Sequence, residues 1–363
     1  MRLQLVTWDH RAPSGGNTYN DQLCAALRGA GVEVAVRRLP GGWPAPEAPD
    51  RARLAEALDA HPLSLVDGIV AAACPAEIAA ADGAGRRVVV LHHMSVADDV
   101  SLPGDVADAR GAAELAALTA AWRVVCTSQH AAAGLRARGV PDVRVALPGA
   151  RREPLAAGSA PPHLLCLASL TPTKNQLLLI EALAGLRHVA WRATLAGATD
   201  VDPDYAQRVR DAIVAAGLTD RVELPGVLTG PPLAQRWGGT DLLMLPSRTE
   251  TFGLVVTEAV AHGVPALVAA GTGAAEALAG AGVREAARGE PEAVGALTGA
   301  DIALADIPGA ALPPTDAASW RDVLARWLAD AQLRHRWRVA ARARQELLRG
   351  WDATADDVIA HLS

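Results

Sequence analysis

The stretch DLLMLPSRTETFGLVVTEAVAHGVPALV, residues 241–268, decides the fold. It opens on an apolar run that reads as a strand over 241–245 and turns at Pro246. A polar loop then carries Glu250 toward the carboxyl edge of a sheet. A helical pattern runs from Gly253 to His262, and a second strand pattern covers 264–269. Strand, loop, helix and strand in this order form the unit of a parallel α/β sheet, because a right-handed crossover brings the chain back parallel to its start. The first N–H groups of such a helix have no partner within it and lie at the positive end of its dipole, so they suit a phosphate. Gly253 lets that anion approach the backbone. Glu258 lies further along the helix among Val255, Val256, Ala259 and Val260. A carboxylate on so apolar a helix needs hydrogen-bond donors, and the vicinal hydroxyls of a ribose would supply them.

The same rhythm extends outward in both directions. Toward the C-terminal side of the middle, strand patterns at 163–168, 191–196 and 221–224 alternate with helical patterns at 175–184, 205–216 and 233–238. In the first half, strand patterns at 3–7, 32–38, 65–70, 87–91, 123–127 and 143–147 alternate with helical ones such as 17–28 and 112–121. The Pro-, Gly- and charge-rich segment 148–163 breaks the alternation and reads as an interdomain linker. The expectation is an α/β protein with two Rossmann-like domains in series, 1–152 and 153–345, followed by a C-terminal segment 346–363. Ligands of such sheets bind outside the carboxyl ends of the strands, and the cleft between two domains is the default site. Residues 280–312 carry no clear pattern, and helical patterns resume at 316–329, 333–348 and 353–362.

Composition narrows the function. Among 363 residues half are apolar but only 3% aromatic, so the core is built from Ala, Leu and Val. A net charge of -6 leaves no basic footprint for nucleic acid. Cys24, Cys74, Cys126 and Cys166 are far apart, each in or beside an apolar run, and match no metal or disulfide spacing; four buried thiols in a reducing compartment is the expectation. MRLQLVTWDH lacks the form of a signal peptide, and no apolar run reaches the ~18 residues a membrane span needs, so a soluble cytoplasmic protein is expected. Lys174 is the only lysine, Phe252 the only phenylalanine, and Asn17, Asn20 and Asn175 the only asparagines. They cluster in PSGGNTYN (13–20), SLTPTKNQ (169–176) and the loop after Pro246, three segments with the chemistry of a phosphate or sugar site.

Glu250 and Glu258 reproduce the E-x7-E pattern of family 4 retaining glycosyltransferases, and the chain resembles that family over nearly its whole length, best over 163–270. The resemblance implies a GT-B fold, two Rossmann-like domains facing across a cleft, with a last helix that crosses back to the N-terminal domain. It implies that Glu250 touches the donor sugar, that Glu258 holds the nucleotide ribose, and that Phe252, Gly253 and Leu254 line the donor site. Where the family shows Gly-Arg-Leu and then a Lys, this chain has Ala168, Ser169, Leu170 and Lys174. Lys174 would neutralise the donor diphosphate. The missing Arg leaves Ser169 as a hydrogen-bond donor only, with Arg248 a candidate to restore the charge.

In the N-terminal half the resemblance places Gly15-Gly16 over the donor phosphates and Asn17, Tyr19, Asn20 and His92 toward the acceptor. His93, at the end of an apolar strand, matches a His near the donor sugar. Asp202-Pro203-Asp204 imitates a metal motif but stands where Asp caps helices, and no metal or cofactor is expected beyond the nucleotide-sugar co-substrate. Gly271-Thr272-Gly273 with Glu276 is similar to the family's Gly-Gly-x-x-Glu turn with one Gly replaced. LRHRWRVAARARQELLRGW (333–351) reads as a solvated Arg-rich face rather than a membrane surface, and a homodimer is compatible with the chain.

The function expected is transfer of a sugar, with retention, from a nucleotide diphosphate sugar, weakly favouring UDP, to a hydroxyl of a small-molecule acceptor, a natural product being one fit. Lys174, Glu250 and His93 are the candidate catalytic residues. Two alternatives stay open: a GT-B epimerase or phosphorylase, and a catalytically silent sugar-nucleotide-binding subunit. The only lysine lies in the phosphate motif, which counts against a pyridoxal-phosphate phosphorylase.

Overall fold

The computed structural model describes residues 1–9, 14–280 and 307–362, and the chain divides into two compact units, Met1–Gly149 with Gly350–Ser363, and Ala150–Arg349. The first unit is built on six parallel strands: β1 (Arg2–Trp8), β2 (Glu33–Leu39), β3 (Leu63–Asp67), β4 (Arg87–His92), β5 (Arg123–Cys126) and β6 (Val143–Val145). Their order across the sheet is β2-β1-β3-β4-β5-β6. The second unit repeats the plan with β7 (His163–Leu167), β8 (Arg192–Ala196), β9 (Val222–Gly226), β10 (Leu242–Leu245), β11 (Ala266–Ala269) and β12 (Gly309–Leu312), ordered β12-β11-β10-β7-β8-β9. In both sheets the order reverses beside the first strand of the unit, the place at whose carboxyl edge open α/β sheets bind ligands.

Helices cover the sheets, so central strands are buried on both faces and read as continuous apolar runs. Val88 to Leu91 and Leu242 to Leu245 are all at most 1% exposed. The second unit's core adds four tryptophans, Trp191, Trp320, Trp327 and Trp337, to its leucines and alanines. All four cysteines are buried and free. Among the described residues no helix is long and apolar enough to cross a membrane.

Several expectations are corrected. The strand expected over 65–70 ends at Asp67, whose side chain accepts the Ile69 N–H at 2.9 Å and starts a helix, Gly68–Ala72. β12 falls in the unpatterned region, since GAAL carries no β-branched signal. It is possible because Gly309, at φ +145°, has no Cβ; one would stand 1.7 Å from Ala266 O. The rest of that region up to residue 306 lies outside the described residues.

The segment read as a linker is a strap on the second unit. Glu153 N–H donates to Ala261 O at 3.1 Å, Ala156 N–H to His262 O at 2.9 Å, and Ala157 N–H to Gly238 O at 3.0 Å. The Arg-rich helix Ala331–Gln345 is also less solvated than its composition implies. Arg334 donates to the carbonyls of Trp327 and Leu328, Arg338 pairs with Asp241, and Arg344 bonds Leu278 O. These guanidinium groups cap carbonyls and pair with the buried Asp241 carboxylate.

The Trp351–Leu362 helix belongs to the first unit. Thr354 Oγ1 donates to Leu147 O at 2.7 Å, His361 Nε2 bonds Val145 O at 2.9 Å, and Trp351 meets Tyr19 edge-on with ring centroids 5.4 Å apart.

Candidate donor site and its surroundings

In the second unit the carboxyl ends of β7 and β10 are neighbours, and the loops that follow them are sewn together. Arg248 N–H donates to Thr173 O at 2.8 Å. Asn175 sits at φ +59°, a left-handed conformation that asparagine tolerates, and sends its amide to Pro246 O at 3.2 Å and Pro314 O at 2.8 Å. Gln176 Nε2 holds Ser169 O at 2.9 Å. Asn175 is therefore a framework residue, and loop geometry accounts for an asparagine at this position.

This framework brings Lys174 and Glu250 together across 76 residues of sequence: Nζ donates to Oε1 at 2.6 Å. Their side chains are 29% and 13% exposed, so the pair lies in a partly dry recess where a charge-assisted bond is strong. The loop carrying Glu250 is pressed onto the next turn. Gly273 N–H donates to Glu250 O at 2.7 Å, and a Cβ on Gly273 would stand 1.9 Å from Thr251 O. Glycine is required there by close approach. Thr272, at the replaced position, is buried and bonds Ala269 O at 2.9 Å.

The helix after this loop, Leu254–Ala261, starts from Gly253 at φ +79° with no side-chain cap. Phe252 is buried beside it, and Leu254 is partly buried. Glu258 is partly exposed, yet among the described residues its side chain has no hydrogen-bond or ion-pair partner, and burial pushes its carboxyl above the ordinary range. The donors that its apolar setting demands are not supplied by the chain. Ser169 is partly exposed and Arg248 is exposed; neither side chain has a partner among the described residues.

In the first unit the Gly15–Gly29 helix follows β1, with Ser14 Oγ accepting the Asn17 N–H at 3.2 Å. Gly16 has a neighbour not read from sequence: a Cβ there would be a tight 3.1 Å from the His93 ring. Three expected acceptor contacts are corrected. Tyr19 is 1% exposed and its hydroxyl donates to Ala146 O at 2.9 Å. Asn20 is 2% exposed and spends both ends of its amide inside, Nδ2 on Asp67 Oδ2 at 2.6 Å and Oδ1 on His93 Nε2 at 2.8 Å. His92 is 4% exposed, with Nε2 3.5 Å from Glu114 Oε1. Asn17, also buried at 6%, sits in the first turn of the helix.

Glu114 anchors a buried polar cluster that sequence reasoning missed. It accepts Ser95 Oγ at 2.5 Å, Val96 N–H at 3.1 Å and Arg138 at 3.1 Å. Burial works against its charge, but the His92, Ser95 and Val96 contacts outweigh it and hold the carboxyl below its usual range. The cluster ties down the segment after His93. His93 itself is partly exposed, and burial lowers its affinity for a second proton, with Asp67 opposing and His92 adding to the effect. Asp67 was also missed, because its partners Asn20 and His93 lie in distant segments. Asp202, the imitation metal motif, accepts Tyr205 N–H at 2.8 Å as a helix cap, and among the described residues no cluster could hold a metal.

Comparison with known proteins decides the family. The model of the family "Glycosyl transferases group 1" matches residues 150–344, more than half of the chain. The chain belongs to the group 1 glycosyl transferases. The match to this group 1 transferase family coincides almost entirely with the second unit, where Lys174, Glu250 and Glu258 lie. Curated relatives include D-inositol 3-phosphate glycosyltransferases of Xylanimonas cellulosilytica, 29% identical over 206 residues, covering 57% of this chain and 43% of the relative. Another, from Catenulispora acidiphila, is 30% identical over 221 residues, covering 53% of this chain and 52% of the relative. The chain thus spans about half the length of the curated relatives it matches. Among solved structures, Anabaena HepE in complex with UDP-glucose superposes with a TM-score of 0.75 at 17% identity, over 99% of both chains. Sucrose-phosphate synthase of Thermosynechococcus elongatus gives 0.74 at 20% identity, over 99% of this chain and 98% of that one. At these identities the likeness establishes the fold: two parallel α/β sheets of the GT-B type.

Proposed function

We propose that this group 1 glycosyl transferase moves a sugar, with retention and without a metal, from a nucleotide diphosphate sugar to a hydroxyl of a small acceptor. The observation that carries the reading is Glu258, a desolvated carboxylate that the chain leaves without donors, on a helix whose uncapped start adjoins the Lys174–Glu250 pair. A nucleoside diphosphate answers each of these: ribose hydroxyls for Glu258, phosphates for Lys174 and the N–H groups at Gly253. UDP is the favoured nucleotide, supported by the HepE complex with UDP-glucose. D-inositol 3-phosphate, for which the curated relatives are named, is the first acceptor to test.

On this reading, departure of the diphosphate leaves an oxocarbenium-like centre and puts growing negative charge on phosphate. Lys174 and the helix start stabilise that charge, which is an electrostatic role. Ser169 adds a hydrogen bond, and Arg248, exposed and unpaired on the joined loop, restores the cation that Ser169 lacks. Donor binding draws Lys174 toward phosphate and frees Glu250 to accept hydroxyls of the transferred sugar. The acceptor hydroxyl attacks from the face the phosphate leaves, and the phosphate oxygen takes its proton, so no side-chain base is needed.

The test is nucleoside diphosphate release from a panel of UDP- and GDP-sugars with and without acceptors. Release that depends on an acceptor and carries the sugar to it supports transfer. Release without acceptor, interconversion of the sugar, or binding without turnover would each replace this reading with one of its rivals.

A further inference from the structure

The line of contacts Asp67–Asn20–His93 fixes more than position. A carboxylate only accepts, so the Asn20 atom 2.6 Å from Asp67 Oδ2 must be the NH2 group. That leaves Asn20 Oδ1 facing His93 Nε2 at 2.8 Å, and a carbonyl oxygen also only accepts. His93 Nε2 must therefore carry the hydrogen, and in the neutral ring Nδ1 is left as a bare lone pair. Asp67 and Asn20 are 1% and 2% exposed, so no water competes for these bonds. Gly16 leaves room for the ring, which lies 5.1 Å from Tyr19 between centroids, and turning the ring over would take Nε2 away from Asn20 Oδ1 and lose that bond. Among the described residues Nδ1 has no hydrogen-bond partner, and the His93 residue is partly exposed.

We propose that Asp67, acting through Asn20, is a positioning residue that holds His93 as the Nε2–H tautomer and so presents Nδ1 as a hydrogen-bond acceptor for a substrate hydroxyl. The identity of that hydroxyl as a sugar or acceptor group rests on the transferase reading; the tautomer does not. Burial, which disfavours the charged ring, keeps Nδ1 an acceptor rather than a second donor.

The polarity of the line makes a sharp experiment. Asp67→Asn keeps a good helix cap for Ile69, since asparagine caps as well as aspartate. The new amide keeps its oxygen on Ile69 N–H and turns NH2 toward Asn20. The Asn20 amide then flips, its NH2 faces Nε2, and the ring hydrogen moves to Nδ1. Histidine-selective nitrogen NMR on the whole chain at neutral pH should report Nε2–H for His93 in the wild type and Nδ1–H in Asp67→Asn. Asn20→Ser, which leaves the cap untouched, should give a mixture of tautomers.

In a transfer assay Asp67→Asn should lower kcat/KM about tenfold, the size of one lost hydrogen bond. His93→Asn places a carbonyl oxygen where Nδ1 stood, whatever Asp67 does, so adding Asp67→Asn to it should cost nothing more. A wild-type ring with hydrogen on Nδ1 overturns the tautomer. An Asp67→Asn cost that is equal with His93 and with His93→Asn overturns the positioning role and makes Asp67 merely structural. A wild type that transfers no sugar would sink the transferase reading, while the nitrogen shifts still decide the tautomer.

Discussion

At the scale of single residues, Lys174, Glu250 and Glu258 make separable predictions. Lys174 is held at 2.6 Å from Glu250, and on the proposed reading it exchanges that carboxylate for a phosphate. Lys174→Ala should cost about 2–4 kcal/mol of transition-state stabilisation, the loss typical of one preorganised donor, read as kcat/KM for donor. Glu258→Gln should weaken free nucleoside diphosphate and intact donor alike, by about 1.5–3 kcal/mol in calorimetry. Glu250→Gln should leave diphosphate affinity nearly unchanged and lower turnover. Glu258→Gln has a second signature. Burial raises the folded carboxyl above its unfolded value, so ionisation destabilises the folded state at every pH above the folded pKa. The ligand-free Glu258→Gln protein should therefore melt higher than wild type at neutral pH. That advantage should shrink as pH falls through the raised pKa and vanish below the unfolded carboxyl value. An unchanged or lower neutral-pH Tm would show that Glu258 finds donors inside the chain.

At the scale of elements, glycine positions carry the site. Gly273→Ala drives a Cβ to 1.9 Å from Thr251 O, which pushes the loop bearing Glu250. It should destabilise by about 1–3 kcal/mol, as overpacking does, and lower turnover. Gly238→Ala is the control: it lies in a helix with nothing within 4 Å and should be neutral or stabilise by up to about 1 kcal/mol. Thermal denaturation and steady-state rates on the two variants check this. The strand–loop–helix units around 163–184 and 241–262 were legible in sequence because apolar runs and their flanking turns are local signals. Gly16, Gly273 and Gly309 were not legible in their roles. What crowds a Cβ at Gly16 is a ring, and what excludes one at Gly273 and Gly309 is a carbonyl, each from a distant segment.

At the scale of the whole molecule, each unit has its own sheet and core, and the chain passes between them at Gly149–Ala150 and again at Arg349–Gly350. The Trp351–Leu362 helix completes the first unit, where Ala355, Val358 and Leu362 are buried and Thr354 Oγ1 bonds Leu147 O. Thr354→Val should leave that carbonyl unpaired and cost the first unit about 1–3 kcal/mol. Calorimetry should show the first unit's transition moving down while the second, followed by its buried tryptophans, stays in place. A shift in the second unit's transition alone would contradict the division.

The sequence by itself determined the α/β class, the two-unit plan and the three segments where Lys174, Glu250 and Gly16 lie, because periodicity and turn chemistry act over a few residues. Rarity within the composition pointed to segments and not to the contacts that single atoms make. Asn20 and Tyr19 looked like acceptor contacts, and the tertiary structure spends their polar groups inside the protein, on Asp67 and His93 and on Ala146. Only the fold could decide that Lys174 meets Glu250, that the strap 150–162 belongs to the second unit, and that Asp67 reaches His93 through Asn20. Each of these rests on contacts between residues tens of positions apart in the chain. Whether a buried polar group is satisfied depends on which neighbours packing supplies, and no local pattern encodes that.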